Sequence, residues 1–196
     1  AAVVRQLPHD IPFATAQNLI EEQGKLQRTL RDALMPESKL SVATIEVFQV
    51  MVDYSQSPGK MIAAGNYGRV DEMISNGHVP VLRPLGTWSG DKDHLRMALV
   101  RFREEIINIG ALRQVLASMG LQAAWLSELL AFGTQYPKEQ EKYPIIALNA
   151  ICKCESEFAV VYLGIDDGGK RILDVRIPLQ EFPWFFEDYC LAAVWR

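Results

Sequence analysis

Six side chains near the carboxyl end have types and spacings that could do chemistry: Asp166, Asp167, Trp184, Phe185, Phe186 and Tyr189. Paired carboxylates can move protons or hold a cation, and Asp174 and Glu187-Asp188 could join Asp166 and Asp167. Aspartate also bonds its own backbone in turns. Turn chemistry therefore accounts for Asp166-Asp167-Gly168-Gly169-Lys170 without any site. The run Phe182-Pro183-Trp184-Phe185-Phe186 cannot turn every ring inward on one strand or one helix. The remaining rings either seal the sheet or form a face for a ligand or partner.

Other reactive groups are scattered. Cys152-Lys153-Cys154 puts two thiols on one face of a strand, since side chains two apart point the same way. A zinc site needs four ligands, and Cys190, His9, His78 and His94 offer no second paired spacing. Buried, reduced thiols are expected, with no metal and no cofactor. The three histidines lie far apart in sequence, so none has an obvious nucleophile to serve. Ser89-Gly90 lacks the context of a nucleophile elbow. Gly59-Lys60 lacks the upstream glycine and following hydroxyl of a phosphate loop.

The bulk composition narrows the function class. With 196 residues, 49% apolar and 22% charged, the chain has the make-up of a globular domain with or without an appended helix. A chain of this length buries roughly 70% of its unfolded surface and needs no metal or disulfide to hold together. A net charge of −4 with scattered basic residues disfavours nucleic acid, whose phosphates call for a concentrated cationic face. No apolar run reaches the ~18 residues of a membrane-spanning helix. An odd number of cysteines, three, argues for a reducing compartment, so a cytoplasmic location is expected. The amino end, Ala1-Ala2-Val3-Val4-Arg5, lacks a methionine and the layout of a secretion signal, which suggests a trimmed start or a fragment.

These groups must be positioned by a series of elements. A helix is expected over Ala14 to Leu34, with Leu19, Leu26, Leu30, Ala33 and Leu34 near one face. Residues 1–38 form that helical segment and 39–196 an α+β domain. Thr44 to Tyr54 alternates with apolar groups on both faces, which suits a central strand. Ser57-Pro58 should start a helix that stops at Gly65. Val79 to Leu85, with Pro80 and Pro84, can only be extended or an edge strand, and Gly86 to Asp93 reads as a turn-rich loop. Leu95 to Ile109 fits a helical count. Further helices cover Leu112 to Met119, ending at Gly120, and Ala124 to Phe132, with Gly133 past its end.

A charged loop from Tyr136-Pro137 to Tyr143-Pro144 precedes strands at Ile145–Lys153, Glu157–Ile165, Arg171–Ile177 and near Tyr189–Trp195. The Asp-Asp-Gly-Gly-Lys turn is the clearest hairpin signal, because glycine supplies the positive φ that a tight turn needs. The fold class expected is α+β, with helices on a mixed, mainly antiparallel sheet that carries hairpins toward the carboxyl end.

Three phrases carry a resemblance. They are Met61-Ile62-Ala63-Ala64-Gly65-Asn66-Tyr67, then Glu128-Leu129-Leu130-Ala131-Phe132-Gly133 running on to Tyr143-Pro144-Ile145-Ile146-Ala147-Leu148, and Cys190-Leu191-Ala192-Ala193-Val194. Over about residues 44–196 the chain resembles a family of uncharacterised bacterial proteins. In that family acidic and aromatic residues usually follow the tyrosine, whereas Gly68 and Arg69 follow it here. The resemblance implies strands at Ile45–Tyr54 and Leu95–Phe102, against the helical count for the second. It carries no site residues across. A weaker likeness is to C-type-lectin-like domains, which also set a helix ending in glycine, an extended step like Gly120-Leu121-Gln122-Ala123 and a second helix before their hairpins. The paired cysteines and clustered calcium carboxylates of the lectins are missing.

The function expected is a non-enzymatic binding module for a protein or small-molecule ligand, recognising it through Trp184, Phe185, Phe186, Tyr189, Asp166 and Asp167. The alternative is an enzyme using carboxylates near the same hairpins. A third reading adds a homodimer through the first helix. Neither membrane nor nucleic acid is expected as a partner.

Overall fold

The computed structural model describes residues 42–79, 92–103, 109–154, 157–176 and 189–195. The expected first helix and the dimer through it, the segment after Val79, and Trp184, Phe185 and Phe186 lie outside the described residues. Within them, eight strands form one mixed sheet accompanied by a few helices, an α+β fold.

Across the sheet the strands run β1 (Val42–Asp53), β3 (Lys92–Phe102), β8 (Cys190–Trp195), β5 (Ile145–Cys154), β6 (Glu157–Ile165), β7 (Arg171–Arg176) and β2 (Arg69–Val70). A short β4 (Leu121–Ala123) also pairs with β8. Pairing is antiparallel for β1–β3, β3–β8, β4–β8, β5–β6 and β6–β7, and parallel for β5–β8 and β2–β7.

The strand implied at Leu95–Phe102 is present, within Lys92–Phe102, and the helical count over Leu95 to Ile109 is overturned. The segment stays extended to Phe102, with Leu95, Met97 and Leu99 buried on one face and Ala98, Val100 and Phe102 on the other. A strand buried on both faces loses its polar alternation, so apolar spacing alone cannot tell it from a helix. β1 departs from expectation in the opposite sense. It stands at the end of the strand order and, among the described residues, pairs only with β3. Val50 and Val52 are buried, while Ile45, Val47 and Met51 are exposed by 42%, 49% and 47%. Apolar residues on an open face imitated a central strand.

Two apolar clusters flank the sheet. One joins Val50, Leu99, Ile145, Val161 and Leu173 to Met61 of α1 (Pro58–Gly65) and to Leu129 and Phe132 of α4 (Leu126–Gln135). The other joins Val100, Ile146, Val160 and Leu191 to Leu112 and Leu116 of α3 (Ile109–Ser118).

Helix ends follow local chemistry. α1 has Pro58 in its first turn and ends at Asn66, whose φ of 49° is the left-handed conformation asparagine tolerates. Ser57 makes no side-chain cap, but its carbonyl accepts from Lys60 and Met61. Asp71 caps α2 (Glu72–Ser75) by accepting from the Met73 N–H at 2.8 Å. Glu128, fully buried in the first turn of α4, accepts from the Trp125 N–H and the Tyr54 hydroxyl, each at 2.8 Å. A carboxylate at that end also meets the positive end of the helix dipole.

Two further differences matter for the site. α4 runs two residues beyond Gly133, so that glycine is inside the helix. The charged loop contains α5 (Glu139–Lys142), which places Gln140 in the interior.

Candidate functional site

β7 presents its two terminal arginines to different surroundings. Tyr162 on β6 and Asp174 on β7 are register partners, and Arg176 follows Asp174 by two residues on the same face. Arg69 on β2 pairs with Asp174. Burial raises the pKa of the Tyr162 hydroxyl, and the Asp174 charge adds to that while Arg176 and Arg69 oppose it. Arg176 donates to the Tyr189 hydroxyl, and its guanidinium stands 5.1 Å from that ring's centre. Among the described residues Arg176 forms no ion pair.

Tyr162, Arg176 and Tyr189 border a cleft of about 340 Å³. Tyr162, Gly164 and Ile165 of β6, Arg176 of β7 and Tyr189 before β8 form one part of its lining. Gln140, Glu141 and Lys142 of α5 and the Tyr143-Pro144 step supply the rest. Ile165 is 43% exposed and offers an apolar surface. Tyr143 is held from behind by Arg101, whose guanidinium lies 3.9 Å from its ring centre. Lys142 is bonded to Glu139 at 2.7 Å, and that bond is the main reason its pKa is raised.

One side chain of the lining also belongs to a polar knot in the interior. Arg171 donates to Gln140 Oε1 through Nε at 3.0 Å and Nη2 at 2.9 Å, to the Gly65 carbonyl at 2.6 Å and to the Gly133 carbonyl at 2.5 Å. Gln140 in turn donates to the Gly164 carbonyl at 2.5 Å. The Gly133 carbonyl would ordinarily accept from the residue four further on, but that residue is Pro137, which has no N–H. Gly65 ends α1, so its carbonyl is also without a helical partner. Arg171 thus satisfies the carboxyl ends of two helices, whose dipoles favour a cation.

The Tyr67 ring lies 5.0 Å from the Arg171 guanidinium. Its buried hydroxyl makes no hydrogen bond among the described residues, and burial pushes its pKa up to about 12 against the opposing charge of Arg171. A Cβ at position 133 would meet the Tyr67 hydroxyl at 2.4 Å and Leu163 Cδ1 at 2.9 Å. Close packing, rather than helix termination, explains Gly133.

The site residues expected from sequence separate. Tyr189 borders the cleft. Asp166 is spent on its own turn, where Oδ1 accepts from the N–H groups of Gly168 at 2.9 Å and Lys170 at 2.8 Å. Gly169 takes the expected positive φ, 76°. Asp167 is exposed on the same turn, and neither aspartate lines the cleft. His78 and His94 are exposed. Cys152 and Cys190 are free and buried, and burial pushes the Cys190 thiol up to about 12, which leaves it unreactive. The side chain of Cys154 lies outside the described residues. Among the described residues no three His, Cys, Asp or Glu side chains gather as a metal site would require.

Sequence reasoning missed Tyr143, Tyr162, Arg176, Gln140 and Arg171. For the arginines a signal existed: both ends of the strand Arg171–Arg176 carry a cation, with one carboxylate, Asp174, between them. For Gln140 there was none, since a glutamine between two glutamates looks like solvent-facing helix.

The arrangement can hold a negative group at Arg176 and a flat or apolar body against tyrosine rings. No family model, curated protein or solved structure matches the chain.

Proposed function

We propose that the 39–196 domain is a binding module and that this cleft is its recognition site, taking a small organic anion with a planar body. The observation that carries the reading is Arg176. It is an exposed cation facing tyrosines, and among the described residues its guanidinium bonds one neutral hydroxyl, where that of Arg171 serves three acceptors. Tyrosine and arginine, with tryptophan, are enriched among the residues that dominate binding energy at protein interfaces. The acid–base alternative gains nothing from the geometry, because Asp166 serves its turn and Asp174 is paired with Arg69. Glu187 lies outside the described residues. An intracellular setting suits the free thiols of Cys152 and Cys190. Among the described residues no helix is long and apolar enough to cross a membrane.

The test is thermal unfolding with phenyl phosphate, benzoate and indole-3-carboxylate, each against its non-aromatic counterpart. A ligand present at about 100 times its dissociation constant adds about 2.7 kcal/mol to the free energy of unfolding. The expected result is an upward shift with at least one aromatic anion, abolished in Arg176→Ala. A shift that survives Arg176→Ala, or no shift with any of the three, overturns the reading.

A further inference from the structure

We infer that the open edge of β1 is a docking site for an extended segment of a partner protein, which adds to the sheet as one more antiparallel strand. The edge is divided by its own hydrogen bonds. Gln135, at the end of α4, accepts from the Met51 N–H at 3.0 Å and donates to the Met51 carbonyl at 2.8 Å, as a neighbouring strand would. The Tyr136 hydroxyl donates to the Gln49 carbonyl at 2.7 Å. These bonds show which backbone groups face away from β3: those of the odd-numbered residues, by the two-residue period of a strand. Ile45 and Val47 belong to the same series, and among the described residues nothing bonds their outward groups. Their side chains are also 42% and 49% exposed.

At the other end of the open stretch, the register with β3 slips between Val42 and Thr44. Five residues, Thr44 to Phe48, therefore lie between this irregularity and the bonded residue Gln49. Long edges are ordinarily protected by charge, proline, shortness or cover. The opposite edge of the sheet is protected in that way, since β2 has two residues and one of them is Arg69. Thr44 to Phe48 contains no proline or lysine.

The centre of the stretch selects the occupant. Glu46 is exposed, and Lys142, which its charge helps to keep protonated, is already bonded to Glu139. A second copy pairing symmetrically over these five residues would set Glu46 against Glu46, and like charges directly opposite are destabilising. A strand with a basic residue at its centre and an apolar residue on either side is complementary instead. Its apolar side chains would extend the face formed by Ile45 and Val47. Antiparallel addition is the more stable geometry per residue.

The probe is an acetylated, amidated pentapeptide, Thr-Val-Lys-Val-Thr, titrated into the full chain and followed by amide NMR. Shifts centred on Ile45 and Val47, with slowed hydrogen exchange at their neighbours, are expected. N-methylating both valines of the peptide should abolish them, because those amides would donate to the Ile45 and Val47 carbonyls. Glu46→Lys should weaken the lysine peptide about fivefold or more, and a peptide with central glutamate should recover the loss. Equal binding by the N-methylated peptide, or no shift at millimolar peptide, overturns the proposal. So does prior protection of the outward Ile45 and Val47 amides in the free monomer, which would assign the edge to the chain itself. A mass of twice 22.1 kDa that Ile45→Asp returns to monomer would assign it to a second copy and overturn the proposal equally.

Discussion

Arg171 and Arg176 stand at opposite ends of one six-residue strand and do opposite things. Arg171 turns inward and gives its guanidinium to Gln140, Gly65 and Gly133. Arg176 turns to the other face and finds a tyrosine hydroxyl and ring. A guanidinium has five donors in a fixed fork, so what differs is how much of the fork the fold uses. The used one fastens α1, α4 and α5 to the sheet. The other, among the described residues, bonds the Tyr189 hydroxyl alone. Residue type does not decide how much of a guanidinium is used; the supply of acceptors does.

The comparison breaks most readily at Arg171. Arg171→Met leaves three acceptors without their donor, at about 1–3 kcal/mol for each one buried. Urea unfolding should show a loss on the order of 3–5 kcal/mol. A loss under about 1 kcal/mol would make the two arginines equivalent and the contrast void.

Alkaline pH should act on the same knot through Tyr67, with a somewhat smaller effect, and separately on the apolar core that holds Cys190. The folded-state pKa of Tyr67 is raised from 10.0 to about 12, and that of Cys190 from 9.0 to about 12. For a raised pKa the stability is whole below the unfolded value and is lost as pH climbs toward the folded one. Stability should therefore begin to fall near pH 9 and continue to about pH 12. Tyr67 alone should contribute on the order of 2–3 kcal/mol of this. Tyr67→Phe should flatten its share of the decline, and Cys190→Ala the earlier part.

Gly133→Ala sharpens the contrast through packing. Overfilling costs about 1–3 kcal/mol, set against the ~1 kcal/mol by which alanine favours a helix, so a net loss of about 1 kcal/mol is expected. The double variant with Tyr67→Phe should recover part of it, since the hydroxyl is the nearest obstacle. The smallest effect belongs to Arg176→Ala, whose unfolding midpoint should move by no more than the equivalent of about 0.5 kcal/mol while the aromatic-anion shift disappears. A large destabilisation there would show that Arg176 is a second structural fastener.

Much of this architecture is written locally. The β6–β7 hairpin is legible because Asp166 and Gly169 satisfy a tight turn by themselves, and strand bounds around it match to within a residue or two. The end of α4 was misread because a glycine late in a helix is usually a terminator, whereas Gly133 answers to Tyr67 and Leu163, distant in sequence. The exposed apolar face of β1 looked central for a related reason, since sequence shows which side chains are apolar but not whether anything covers them. The cleft was the least legible part. Tyr143, Tyr162, Arg176 and Tyr189 come from separate segments, and only the sheet order brings them together. Of the expected recognition residues, Trp184, Phe185 and Phe186 lie outside the described residues, and Tyr189 is the one that borders the cleft.

The last described strand in chain order sits in the middle of the sheet. β8 runs between β3 and β5, and in the strand order it is the sole link between the β1–β3 pair and the β5–β6–β7–β2 block. A chain emerging from the ribosome can form each block early but cannot zip them together until residues 190–195 arrive. Such long-range closure slows folding. Until it happens, the facing flanks of β3 and β5 lack the strand that joins them, and unpaired strand edges of that kind are where a folding chain is prone to misassembly.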